Sequence, residues 1–230
     1  MYKFFEIFSI PERRSVILIL LILYISSFHE IYAESLRSGD LIFQVEGQSD
    51  FSKAISESTT LGDSLNFVHV GIIEVTENGI NVIEASPEAG VRAIPLQSFL
   101  KDIPEKQLKS SIVVKRLDIE FPVETVIKKA RSHIGEPYDW WYLPDNGKMY
   151  CSELVYESYI NEDGSKIFKA KPMNFLSPDG SMPEFWVKLF EGLDCEIPQG
   201  EEGTNPNDLS ADKKLKEVQL DSLQNDLKLQ

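Results

Sequence analysis

Apolar and polar positions alternate or recur at helical spacing through most of the chain between residues 41 and 193, and the pattern predicts a mixed set of short elements. Leu41-Ile42-Phe43-Gln44-Val45, led in by Ser38-Gly39-Asp40, reads as a strand. Ser49 or Asp50 is placed to cap a short helix, because Phe51, Ala54 and Ile55 share one helical face. A polar connection runs from Thr59 to Asn66, and three strands follow. His69 to Val75 is rich in β-branched residues, the turn signal Glu77-Asn78-Gly79 leads to Ile80–Ala85, and Gly90–Leu96 comes after Pro87. Leu96–Leu100 reads as a short helix and Ile112–Leu117 as a further strand.

Pro122 suits a first helical position, with Val123, Val126, Ile127 and Ala130 on one face of a helix that runs to about Ile134 and ends at Gly135. Residues 137–148 form an irregular loop dense in aromatics. A helix from Cys151 to about Ile160 follows, with Leu154, Val155 and Ser158 facing the sheet, and Glu184–Leu193 is the last core helix. From Gln199 the chain turns polar, and residues 199–230 read as a disordered tail. Val16 to Ile25 is an apolar run behind Arg13 and Arg14, shorter than the ~20 residues that span a bilayer. Residues 1–33 are therefore predicted to be a signal peptide, which makes the protein periplasmic or secreted. The alternative is an uncleaved N-terminal anchor, and membrane contact is expected only through this segment. The globular domain is expected over residues 34–198.

Composition narrows the function. A formal net charge of −14 argues against a nucleic-acid binder, which needs a basic face. The 42% hydrophobic content supports a real core. The two cysteines, Cys151 and Cys195, invite a disulfide in an exported protein. That pairing would remove Cys151 from chemistry. No CxxC occurs, so a zinc site is not expected, and neither is any other cofactor.

Three residues stand out against this background. His69 and Glu84 each interrupt an apolar strand, and Cys151 opens a helix. A carboxylate between Ile83 and Ala85 needs a partner or a polar cavity. Along the first of these strands His69, Gly71 and Ile73 share one face. A hairpin register that aligns the faces lets Glu84 orient the His69 imidazole, and Gly71 leaves room beside it for a side chain or substrate. A helix start favours thiolate through its unpaired N–H groups. Thiol, imidazole and carboxylate together are the parts that attack a carbonyl. Tyr138, Trp140 and Tyr150 are candidates for substrate binding. Asp40 reads as a turn or cap residue, and His133 as a helix-terminus residue.

The pieces Leu36-Arg37-Ser38-Gly39-Asp40-Leu41-Ile42-Phe43-Gln44, His69-Val70-Gly71-Ile72-Ile73, Val82-Ile83-Glu84-Ala85, Gly135-Glu136-Pro137-Tyr138-Asp139 and Tyr150-Cys151-Ser152-Glu153-Leu154-Val155 resemble the permuted papain-like amidases of the YaeF/YiiX type, relatives of the NlpC-type cysteine peptidases. The order His, Glu, Cys is the permutation. The resemblance implies an α+β, circularly permuted NlpC-like fold, with a small antiparallel sheet or open barrel packed against the nucleophile helix. It implies Cys151 as nucleophile, His69 as general base and acid, and Glu84 as the group that orients His69. It requires no metal or cofactor. Implied substrates are a cell-wall peptide or an N-acyl (lipid) amide. The lecithin–retinol acyltransferase group resembles the same scaffold, which keeps thioesterase or acyltransferase chemistry as an alternative, beside a non-catalytic exported binding module.

Overall fold

Leu41–Val45 forms β1, whose first three residues are buried on both faces. The computed structural model describes residues 35–45, 47, 49–62 and 65–219; the predicted signal segment and residues 220–230 lie outside them. Asp50–Thr59 is helix α1, capped by the Ser49 side chain, which accepts from Ser52 N. Next come β2 (Phe67–Thr76), β3 (Gly79–Ser86) and β4 (Gly90–Pro95), joined by tight turns as an antiparallel meander. Leu96–Leu100 is α2, Leu108–Ser111 is α3 and Ile112–Leu117 is β5. Helix α4 spans Val123–Ser132, with Pro122 as its N-cap rather than its first residue. Cys151–Ser158 is α5. The short strand β6 (Lys171–Pro172), helix α6 (Glu184–Gly192), strand β7 (Glu202–Gly203), helix α7 (Pro206–Ser210) and strand β8 (Leu215–Val218) complete the chain.

Six strands make one open sheet in the order β4-β3-β2-β1-β5-β8, every neighbouring pair antiparallel; β6 and β7 pair separately. The sheet does not close into a barrel, since β4 and β8 are both edges. Each face carries its own core. One core joins Phe43, Val70, Ile72, Ile83 and Ala85 to Leu154 and Val155 of α5, Val126 and Ala130 of α4, and Trp186 and Phe190 of α6. The other joins Ile42, Ile73, Val82 and Val114 to Leu96, Phe99 and Leu100 of α2 and Leu108 of α3. Two covered faces explain why β1 and β2 read as nearly continuous apolar runs rather than clean alternation.

The C-terminal segment differs from its sequence reading. Residues 199–219 are not a loose tail: α7 is buried at Asn207 and Leu209, and β8 extends the main sheet along β5. An edge strand meets a neighbour on one side only and needs few apolar residues, so Leu215-Lys216-Glu217-Val218 looks polar in sequence. Leu209 falls in the short helix α7, and Leu215 and Val218 fall in this strand.

Candidate active site

The ladder between β2 and β3 ends at the pair Ile72↔Ile83. Beyond it the strands diverge: β3 goes on pairing with β4, through Glu84↔Arg92, while β2 goes on pairing with β1, through Gln44↔His69. The β1–β2 register shifts between Gln44 and Val45, which leaves Val68 as an extra residue directly before His69. Such a bulge re-aims the neighbouring side chain. Helix α5 packs against both diverging strands and begins with Cys151.

His69 Nε2 lies 2.6 Å from Glu84 Oε2. The other Glu84 oxygen accepts from Arg92, at 2.9 Å from Nε and 2.8 Å from Nη2. The imidazole lies against the Phe99 ring of α2, with centroids 5.8 Å apart and planes 26° from parallel. Burial disfavours the imidazolium, but hydrogen bonds and charge from Cys151 and Glu84 outweigh it and push His69 up to about 10. With Nε2 committed to Glu84, Nδ1 is the ring nitrogen left for the sulfur. Burial would also raise Glu84, but its bonds to His69 and Arg92 outweigh this and hold the carboxyl below its ordinary range. The site is thus a row: Arg92, Glu84, His69, Cys151.

The backbone around Cys151 is held from several sides. Tyr150 N donates to Glu153 Oε2 at 3.3 Å, closing the first turn of α5. Asp139, fully buried, accepts from Trp141 N (3.0 Å), Leu143 N (2.9 Å) and Asn146 Nδ2 (2.9 Å), which ties the aromatic loop into a fixed shape. The entry to that loop is clamped on β4, where Val91 N donates to Glu136 O and Gly135 N donates to Val91 O, both at 2.9 Å. Gly90 permits this approach: its φ is +66°, and a Cβ there would sit 2.2 Å from Glu136 O.

A cavity of about 50 Å³ opens beside Cys151, walled by Tyr138, Tyr142, Tyr150, Phe175 and Trp186 among others. Tyr138 and Tyr150, two of the predicted binding residues, line it, whereas Trp140 does not. Trp140 packs instead on Tyr138 and Phe51, with centroids at 4.9 and 5.4 Å. The space expected beside Gly71 is taken by Val82, whose Cγ1 would lie 2.4 Å from a Cβ at that position. Asp40 does more than turn the chain. It is buried and accepts from Arg116 Nε at 2.7 Å and Nη2 at 2.8 Å, as well as from Arg37 N. His133 caps α4 and meets Glu136 at 3.0 Å, away from the row just described. Both cysteines are free, Cys151 buried and Cys195 exposed. Sequence reading missed Arg92 and Phe99. The strand 90–96 was legible, and counting its alternation against Glu84 would have set Arg92 opposite it.

An open antiparallel sheet, packed on a helix that starts with cysteine and preceded in sequence by the histidine and glutamate strands, defines a papain-like architecture in permuted order. The sequence model of the permuted papain-like amidase enzymes, YaeF/YiiX, C92 family, matches residues 35–219, and the chain belongs to that family. It is 28% identical over 173 residues to protein YiiX of Escherichia coli (strain K12), covering 74% of this chain and 79% of that protein. A solved structure, described as the metalloprotein yiiX from Escherichia coli O157:H7, superposes with a TM-score of 0.62 at 28% identity. The superposition covers 79% of this chain and 96% of that one. Family membership makes the protein an amide hydrolase of the cysteine-peptidase kind.

Proposed function

We propose that the protein is an exported cysteine amidase that cleaves its substrate through an acyl thioester on Cys151, the substrate being a peptide, a cell-wall peptide or a lipid amide. The observation that carries this reading is the placement of His69 between Cys151 and Glu84 at the start of α5. Export rests on the N-terminal segment, with anchoring through that segment as its alternative.

In this mechanism the Cys151 sulfur attacks the amide carbonyl and the C–S bond forms. The oxyanion meets the N–H groups of the first turn of α5, which have no acceptor within the helix. The His69 imidazolium gives its proton to the leaving amine as the C–N bond breaks. Water then adds to the thioester, His69 takes its proton, the C–S bond breaks and the acid leaves. Glu84 stabilises the imidazolium and fixes the ring, and Arg92 holds Glu84. The metalloprotein description of the neighbour finds no matching donor set here. Among the described residues no group of three or more His, Cys, Asp or Glu side chains is arranged to hold a metal ion, and within the row His69 Nε2 is already engaged by Glu84. No step is routed through a metal.

The test is acyl-enzyme trapping. Muropeptides and N-acyl amino acids are offered to the protein, the freed amine is identified, and Cys151 is followed by intact mass. Cys151→Ala is expected to cut turnover by at least about a thousandfold with an unchanged melting temperature. An alanine variant that still turns over substrate overturns the reading.

A further inference from the structure

We infer that the cavity lined by Cys151, but not by His69, is the acyl subsite, and that it takes a short, uncharged acyl group bearing a hydroxyl or amide. The inference rests on Cys151 being the nucleophile. No Asp, Glu, Lys, Arg or His lines this cavity, in a chain where 26% of residues are charged. A charged acyl group would be stripped of water there with nothing to pair it.

The cavity is not merely greasy. Ser152 is 1% exposed, and its Oγ has no hydrogen-bond partner. Thr204, which also lines the cavity, is already engaged: its N–H donates to the Tyr150 hydroxyl at 3.1 Å, and its side chain bonds to Tyr150 as well. A buried hydroxyl without a partner costs about 1–3 kcal/mol, which a ligand group placed beside Ser152 would recover. Ser152 follows the nucleophile directly, so that group belongs close to the scissile carbonyl.

The floor sets the length. Trp186 Nε1 donates to Ser58 Oγ at 2.9 Å, and Ser58 Oγ donates to Phe175 O at 2.9 Å. Trp186 stands edge-on to Phe175, with centroids at 5.2 Å, and to Tyr142 at 5.6 Å. These rings are locked against one another, and a volume of about 50 Å³ above them holds a few non-hydrogen atoms rather than a long chain.

Four 4-nitrophenyl esters test this with the full-length protein: butyryl, 3-hydroxybutyryl, succinyl and dodecanoyl. Attack forms the C–S bond, breaks the C–O bond and expels nitrophenolate, so absorbance reports the rate and intact mass reports the acyl group on Cys151. Acylation is expected to be fastest with 3-hydroxybutyryl, then butyryl, with succinyl and dodecanoyl slower by about 100-fold, as burial of an unpaired charge or an oversized chain requires. Ser152→Ala is expected to erase the preference for 3-hydroxybutyryl over butyryl, and Phe175→Ala to raise the dodecanoyl rate. Succinyl or dodecanoyl acylating Cys151 as fast as butyryl overturns the subsite and leaves the cysteine mechanism standing. Failure of all four esters to label Cys151 overturns both.

Discussion

His69 answers to two neighbours with opposite needs, and its protonation state is the quantity to measure. Its folded value, near 10, lies above the ordinary 6.5 of an imidazole. The stabilisation it brings is therefore fully present below pH 6.5 and is lost as pH rises through about 10. Glu84 is shifted the other way, so its contribution is present above the ordinary carboxylate range and is lost as pH falls through its lowered value. We expect kcat/KM to stay flat from neutral pH toward an alkaline limb near 10, because the imidazolium must persist to protonate the leaving amine. Glu84→Gln should pull that limb to lower pH and reduce kcat by about 10–100-fold, since it removes the charge that holds the imidazolium. A profile whose alkaline limb is the same in both proteins would disprove the coupling. This much of the site was legible in sequence because an ionisable residue inside an apolar strand demands a partner. Arg92 was not, because a single arginine on an edge strand is chemically ordinary until the register sets it opposite Glu84. The cavity beside Cys151 was legible only in part. Tyr138 and Tyr150 flank the two motifs, whereas Phe175, Trp186 and Thr204 arrive from segments that carry no motif at all.

At the scale of elements, α5 holds the sulfur by packing on β2 and β3 of the sheet and against helix α4. Leu154, Val155 and Ser158 are fully buried, as their spacing required. Leu154→Ala is expected to cost about 2–5 kcal/mol by opening a cavity under the nucleophile; urea melts measure it, and a cost below about 1 kcal/mol would contradict the packing. The third residue of the helix works against this stability. Burial, and next the charge of Asp139, push the Glu153 carboxyl up to about 8. A carboxyl raised above its ordinary 4.5 keeps its proton in the folded state after the unfolded chain has lost it, so stability falls as pH rises from 4.5 to about 8. Glu153→Gln keeps an acceptor for Tyr150 N and removes the titration. Its melting temperature should exceed the parent's by more at pH 8 than at pH 5; an equal gap at both would show that Glu153 titrates normally. Element types were legible because strands and helices here carry strong periodicity, and the start of α4 moved by one residue because its cap, Pro122, has no polar side chain to mark it.

The whole molecule depends on a C-terminal segment whose composition gave no sign of it. Polar composition predicts disorder only when no apolar surface waits for the segment, and here β5 would otherwise be an open edge. Asn207 is the chief tether. It is buried, its Oδ1 accepts from Phe67 N at 2.8 Å, and its Nδ2 donates to Phe67 O at 3.1 Å and to Thr59 Oγ1 at 2.7 Å. These bonds fix the start of β2 two residues before His69, and the same segment brings Thr204 and Pro206 to the cavity wall. A chain ending at Pro198 should therefore lose β8, the tether and one wall together, and melt lower by at least ~10 °C or fail to fold. Asn207→Leu separates tethering from bulk loss, because it keeps the volume and removes only the bonds. Phe67 N and Phe67 O then lose these partners, at about 1–3 kcal/mol each, while the half-buried Thr59 hydroxyl keeps its bond to Ile55 O. We expect a lower melting temperature and a lower kcat with KM little changed, since the substrate cavity stays walled while His69 is held less firmly. A variant that melts with the parent and matches its kcat would mean that β2 holds its own course, and that the C-terminal segment rests on the fold without shaping the site.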